Sequence, residues 1–160
     1  MTVYFLDSSA VVRLYAIEPG DRWVRDLVRR ADAEPPTADI VVCDLAYPEA
    51  VAALHRMIRG ADAARRGLSA AAVRLILPRM RGDLTPGSRF LVMPASDCVS
   101  SAAEIAARRV IQGADSVHVA AALQGRRFVP AEERFIFVSD DVAQCRAAEG
   151  EGLEVLRPAA

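Results

Sequence analysis

Short apolar runs alternate with amphipathic stretches along the whole of this 160-residue chain. Val3 to Leu6, Ile40 to Cys43, Arg89 to Met93 and Arg134 to Val138 are β-prone runs that read as strands, and Leu153 to Leu156 is a weaker fifth. Between them apolar residues recur at helical spacing. The first helix starts at Ser8 and Ser9 and carries Val11, Val12, Leu14 and Tyr15 until Glu18-Pro19-Gly20 breaks it. Trp23, Val24, Leu27, Val28 and Ala31 form the apolar stripe of a second helix whose other face holds Arg22, Arg25, Arg29 and Arg30. A third runs from Leu45 to Ile58 with Pro48 in its first turn, where proline is tolerated. Residues 69 to 81, Val99 to Val110 and Ala114 to Leu123 read as further helices, and a short one follows the strand at Arg134.

Strands that are continuous apolar runs, each separated from the next by a helix, predict a parallel sheet covered on both faces. The expected class is α/β, a three-layer α/β/α sandwich around a central, mainly parallel sheet of four to five strands, with residues 1–160 as one domain. No internal repeat, low-complexity tract or linker divides the chain. At this length, folding removes roughly 70% of the unfolded surface from water, so neither disulfides nor a structural metal are needed to hold a core. Cys43, Cys98 and Cys145 are far apart and in no Cys-x-x-Cys pair, and read as small core residues in a reducing compartment. No run of 18 uncharged apolar residues occurs, so no membrane association is expected, and a cytoplasmic protein is.

Charge changes the picture through one absence. The 20 basic residues balance 21 acidic ones, and every basic residue is arginine. Without lysine the chain cannot build a phosphate-binding P-loop, a protein-kinase strand lysine or a pyridoxal Schiff base. A net charge of −1 also argues against a surface coated in positive charge for unspecific DNA binding.

In parallel α/β sheets ligands sit beyond the carboxyl ends of the strands. Asp7 ends the first predicted strand, and Ser139, Asp140 and Asp141 end the one beginning at Arg134. Two more acids stand in apolar company. Glu49 is the only charged residue between Leu45 and Leu54, and Asp115 is the only acid from residue 105 to 131. Burying a carboxylate on an apolar helix face is costly unless it is paired, hydrogen-bonded or bound to a metal. A simpler reading exists for each: Asp7, Asp140 and Asp141 fit helix caps, and Glu49 and Asp115 fit first-turn positions that favour negative charge.

The order Leu-Asp-Ser-Ser-Ala at 6–10, Pro-Glu-Ala-Val-Ala-Ala-Leu at 48–54, Gly-Ala-Asp-Ser-Val-His-Val-Ala-Ala-Ala-Leu at 113–123 and Phe-Val-Ser-Asp-Asp at 137–141 resembles a PIN domain. More narrowly, it is similar to the VapC toxins of bacterial toxin–antitoxin pairs, over almost the whole chain. The resemblance implies a Mg²⁺- or Mn²⁺-dependent endoribonuclease in which Asp7, Glu49, Asp115 and Asp141 are catalytic and hold the ion, with Asp140 competing for the fourth place. Ser9, Arg13 and Ser139 match substrate-side positions. Gln112 stands where the family often has arginine, and Arg13 where it often has lysine. The implied partners are an RNA substrate, a cognate antitoxin protein and a second copy in a homodimer.

Hard oxygen ligands suit these ions, which lower the pKa of bound water and offset charge on the phosphorus. Clustered carboxylates also repel one another, so raised pKa values are expected without the ion. Arg13 is the expected phosphate contact, and Arg22, Arg25, Arg29, Arg30, Arg56, Arg59, Arg65 and Arg66 read mostly as solvated helix faces. Tyr15 and Tyr47 are the aromatics expected near the site, and His118 reads as structural. A haloacid-dehalogenase-like phosphatase would need an acid at position 9, which is Ser9, and usually a lysine; a phosphorelay receiver fails on the missing lysine as well. The alternative of another class is a catalytically silent PIN-like domain serving as a protein or RNA binding module.

Overall fold

A computed structural model describes residues 1–59 and 68–159. Five strands form one sheet: β1 (Thr2–Leu6), β2 (Ala38–Cys43), β3 (Leu91–Met93), β4 (Arg134–Val138) and β5 (Glu154–Leu156). Their spatial order is β3-β2-β1-β4-β5 and every pairing is parallel. The helices are α1 (Ser8–Val12), α2 (Asp21–Ala31), α3 (Ala46–Arg59), α4 (Ala70–Asp83), α5 (Val99–Arg108), α6 (Gly113–Arg126) and α7 (Val142–Gly150).

The two-residue side-chain period of the strands divides the core in two. Tyr4, Leu6, Ile40, Val42, Ile136 and Val138 face one side and pack with Val11, Val24, Leu27, Leu54 and Met80 of the first four helices. Val3, Phe5, Val41, Cys43, Phe135 and Phe137 face the other and meet Ile105, Val119, Ala120 and Ala148 of α5, α6 and α7. Phe5 and Phe137, both fully buried, stack with ring centroids 5.6 Å apart. Such a pair contributes about 0.5–1.5 kcal/mol beyond its area burial. The result is the expected three-layer α/β/α sandwich, with a sheet that is parallel throughout.

The elements differ from expectation at their edges. The first helix ends at Val12, and the chain tightens through Arg13, Leu14 and Tyr15, whose backbone N–H groups bond three residues back to Ala10, Val11 and Val12. The third strand starts at Leu91, because Phe90 turns into the core and Arg89 pairs with Asp32. A short 3₁₀ turn, Ala95–Cys98, precedes α5, and α6 runs on to Arg126. The three cysteines are buried free thiols. Among the described residues no helix is long and apolar enough to cross a membrane.

One consequence of the strand order positions everything that follows. The chain steps from β1 outward through β2 and β3, then returns to the other side of β1 with β4 and β5. At such a reversal the connections diverge and leave a crevice at the carboxyl ends of the two central strands. Leu6 and Val138 lie in register, so Asp7 and Ser139 emerge side by side, and the Asp7 N–H bonds the Val138 carbonyl at 3.1 Å.

Candidate active site

Asp7 is the centre of the crevice and is almost fully buried, at 3% exposure. Its Oδ1 accepts the Ala10 N–H at 2.8 Å, which caps α1, and the Ser9 hydroxyl at 2.8 Å. The cap reading of Asp7 therefore holds alongside whatever else it does. Ser139 Oγ, also buried, lies 2.7 Å from both Asp7 Oδ2 and Gln144 Oε1, donating to one of these acceptors at a time, and accepts the Asp141 N–H at 3.1 Å. Burial pushes the Asp7 carboxyl above its ordinary range, and its hydrogen bonds to Ser139 and Ala10, the charge of His118 and the Ser9 hydroxyl only partly offset this.

Glu49, in the first turn of α3, comes to the same crevice, half-buried. His118 of α6, fully buried, places Nε2 at 2.7 Å from Glu49 Oε2 and sets its ring edge-on to Phe5. Burial alone would raise the Glu49 carboxyl, but the hydrogen bond and charge of His118, with Ser8 and Arg56 adding to them, bring it below the usual range. His118 is structural in its burial, as its sequence context implied, yet it is also the partner that orients a candidate site residue. Its spacing of three from Asp115 was the available signal, since that puts both on one helix face. Contact with Glu49, 69 residues away, left no local trace.

Asp115 lies in the first turn of α6, half-buried. Its carboxyl is raised by burial first, then by the charges of Asp141 and Glu49, with a further contribution from Asp7 against the opposing charge of His118. The charges of Asp141, Glu49 and Asp7 thus all bear on the Asp115 carboxyl. Asp141 caps α7, its Oδ1 accepting the Gln144 N–H at 2.8 Å. Gln144, 1% exposed, also bonds the Asp115 carbonyl through Nε2 at 3.4 Å, so it ties the two acid-bearing helix starts together. The sequence reading passed over it, although Asp141-x-x-Gln144 has the spacing of a capping box.

Asp140 has a different environment. Its Oδ2 pairs with Arg13 Nη2 at 2.5 Å and its Oδ1 accepts the Ala159 N–H at 3.0 Å. Arg13 correspondingly departs from the expected phosphate contact. It is 7% exposed, and its guanidinium donates to the Pro19 carbonyl through Nε at 2.7 Å and to the Ser9 carbonyl through Nη1 at 2.8 Å. A guanidinium so committed clamps the start of α1 to the β4–α7 turn. Buried charge is tolerated here because every face of it meets an oxygen.

Of the remaining expectations, Tyr15 gives its hydroxyl to Asp83 Oδ2 at 2.7 Å, on α4, and Tyr47, in the first turn of α3, packs partly buried against the core. Arg25 and Arg29 pair with Asp21 and Asp26 of their own helix, Arg30 lies over the Tyr4 ring, and Arg59 bonds the His55 carbonyl. Arg65 and Arg66 lie outside the described residues.

The donor set is hard oxygen throughout and carries mutual repulsion that a divalent cation would relieve, which fits Mg²⁺ or Mn²⁺ in kind. Among the described residues no three Asp, Glu, His or Cys side chains converge closely enough to hold a metal as they stand.

No protein-family model matches this chain, and neither does any curated protein. A solved structure does: a chain in the crystal structure of VapBC2 from Rickettsia felis bound to a DNA fragment from their promoter is similar over 98% of both chains, with a TM-score of 0.55 and 12% identity. At that identity the likeness establishes the fold, and the fold is the PIN-like one that the four acid-bearing motifs led us to expect.

Proposed function

We propose that this chain is a divalent-cation-dependent endoribonuclease acting as the toxin of a toxin–antitoxin pair. The observation that carries the reading is the buried Asp7 at the reversal point of a parallel sheet, bonded to Ser139, which accepts the Asp141 N–H, with Gln144 joining Asp141 to the Asp115 carbonyl. The shared fold with a chain of the VapBC2 assembly supports it, and extends it to a small antitoxin as the protein partner.

Asp7, Glu49, Asp115 and Asp141 would hold Mg²⁺ or Mn²⁺, which when bound supplies Lewis-acid charge beside the scissile phosphate. Ser9 and Ser139 orient Asp7 from its two sides, and His118 orients Glu49. Arg13 and Asp140 support this arrangement through their ion pair and the bond to the Ser9 carbonyl. Phe5 and the closely packed α6 keep water from the buried side of the site.

The test is cleavage of bulk RNA with Mn²⁺ by the unsubstituted protein and by Asp7→Ala. Cleavage that Asp7→Ala abolishes supports the reading; binding of RNA without cleavage by either protein favours the silent binding module. Co-expression with the product of a short neighbouring reading frame tests the antitoxin: a stable complex that suppresses cleavage is expected, and unchanged cleavage in its presence removes that partner.

A further inference from the structure

A groove of about 390 Å³ lies between the edge strand β3 and the turn that follows α6, reaching toward the amino ends of β1 and β2, whereas Asp7 lies beyond the carboxyl ends. Its floor is Val3 and Val41, each 4% exposed, and its sides are Leu91 and Met93 of β3 and Phe128 and Val129 of the turn. The volume falls within the roughly 300–1,000 Å³ of sites that take a small molecule. Two large apolar side chains here stand in water, Leu91 at 62% exposure and Phe128 at 77%. A molecule seated between them removes that surface from water. The turn is held before anything binds: Arg126 donates through Nη1 to the Val129 carbonyl at 2.7 Å and to the Pro130 carbonyl at 3.3 Å. A wall fixed in advance needs little further ordering on binding.

One polar group interrupts this surface and selects what fits it. Asp39 is the second residue of β2, an inner strand, while the other charged strand residues, Arg134 and Glu154, stand first in theirs. Aspartate is depleted in strands, and the inner strands of a covered parallel sheet are normally apolar throughout. The two-residue period puts the Asp39 side chain on the face of Val41 and Cys43, beside Val3, with which it is in register. It is half-buried, and its carboxylate has no hydrogen bond or ion pair among the described residues. The other acid at the groove, Glu133, lies 3.7 Å from the N-terminal ammonium. None of the described lining residues is basic. A carboxylate set among apolar walls without a counter-charge is best satisfied by a cation that brings an apolar body with it.

We propose that this groove binds a small organic cation, with a flat apolar body between Leu91 and Phe128 and an ammonium or amidinium group donating to Asp39. Its occupancy is independent of any nuclease activity at Asp7.

The test titrates three probes that share one indole body and differ in charge: tryptamine, the neutral tryptophol and the anionic indole-3-acetate, each by calorimetry at neutral pH. Tryptamine should bind with a dissociation constant below about 1 mM, and the other two at least about tenfold more weakly. Asp39→Asn should bring tryptamine down to the level of tryptophol and leave tryptophol unchanged. Phe128→Ser should weaken tryptamine, and Asp97→Asn, at an exposed acid of the 3₁₀ turn, should change nothing. In ¹H–¹⁵N spectra the amides that shift with tryptamine should include Val41, Leu91 and Phe128 and leave out Ser9 and Ser139. A tryptamine constant above about 1 mM, equal binding of the three probes, tryptamine binding unchanged in Asp39→Asn, or shifts confined to the acid cluster would overturn the proposal. The comparison of probes is made on the unsubstituted protein, so it decides the matter even where a variant fails to fold.

Discussion

Replacing Arg13 by methionine keeps most of the aliphatic stem and removes a guanidinium whose side chain is 8% exposed. Three oxygens lose their partner: Asp140 Oδ2 at 2.5 Å, the Pro19 carbonyl at 2.7 Å and the Ser9 carbonyl at 2.8 Å. Asp140 is itself only 15% exposed, so its charge would be left largely desolvated. Breaking a buried pair from one side costs about 3–5 kcal/mol, against 0–1 for a pair on the surface. For a domain of this size each kcal/mol moves the melting temperature by about 2–4 °C, so Arg13→Met should melt roughly 6–20 °C lower. Asp140→Asn added to Arg13→Met removes the stranded charge and should recover at least about 1 kcal/mol, which a double-mutant cycle by urea unfolding reads directly. A cost below about 1 kcal/mol with additive single effects would refute the clamp. The phosphate contact expected from sequence would then return as the better account, visible as a shallower salt dependence of RNA binding in Arg13→Met.

Acid stability offers a second check. Asp7 and Asp115 both have carboxyls raised above the ordinary 3.8, so the folded protein holds their protons more tightly than the unfolded chain does. Their contribution to stability is fully present below that value and is lost as pH rises through the raised ones, a sign opposite to that of Glu49, which is lowered. Without divalent cation, stability should therefore fall less steeply above about pH 4 in Asp7→Asn/Asp115→Asn than in the unsubstituted protein, and parallel urea-unfolding profiles of the two would contradict the assignment. A cation that binds the acids must also stabilise the fold: at a hundred times its dissociation constant, Mg²⁺ or Mn²⁺ adds about 2.7 kcal/mol. The melting temperature of the unsubstituted protein should rise accordingly and that of Asp7→Asn/Asp115→Asn should not; equal shifts in both would remove the metal site.

Much of this molecule was readable along the chain. Runs such as Phe135-Ile136-Phe137-Val138, apolar on both faces, could only be strands covered on both sides, and the helices between them made the sheet parallel. Asp7, Glu49 and Asp115 stood out because acids at strand ends or in apolar helices need a reason, and the absence of lysine removed competing chemistries. These are local properties, written in periodicity and composition over a few residues.

Only the tertiary structure could decide which groups meet. Arg13 and Asp140 are 127 positions apart in the sequence, Ser139 and Asp7 132, and His118 and Glu49 69, and each pair is brought together by the assembled fold, with no local spacing that sets the contact. The adjacent Asp140 and Asp141, of which the resemblance matched Asp141 to the fourth acid with Asp140 as its competitor, diverge in space, one turned to Arg13 and the other capping α7. The same holds for the arginines, since a guanidinium becomes a clamp or a ligand contact according to which oxygens surround it. Pattern specifies the element; the environment that sets a side chain's charge, partners and exposure comes from residues far along the chain, and exists only once the sheet has assembled.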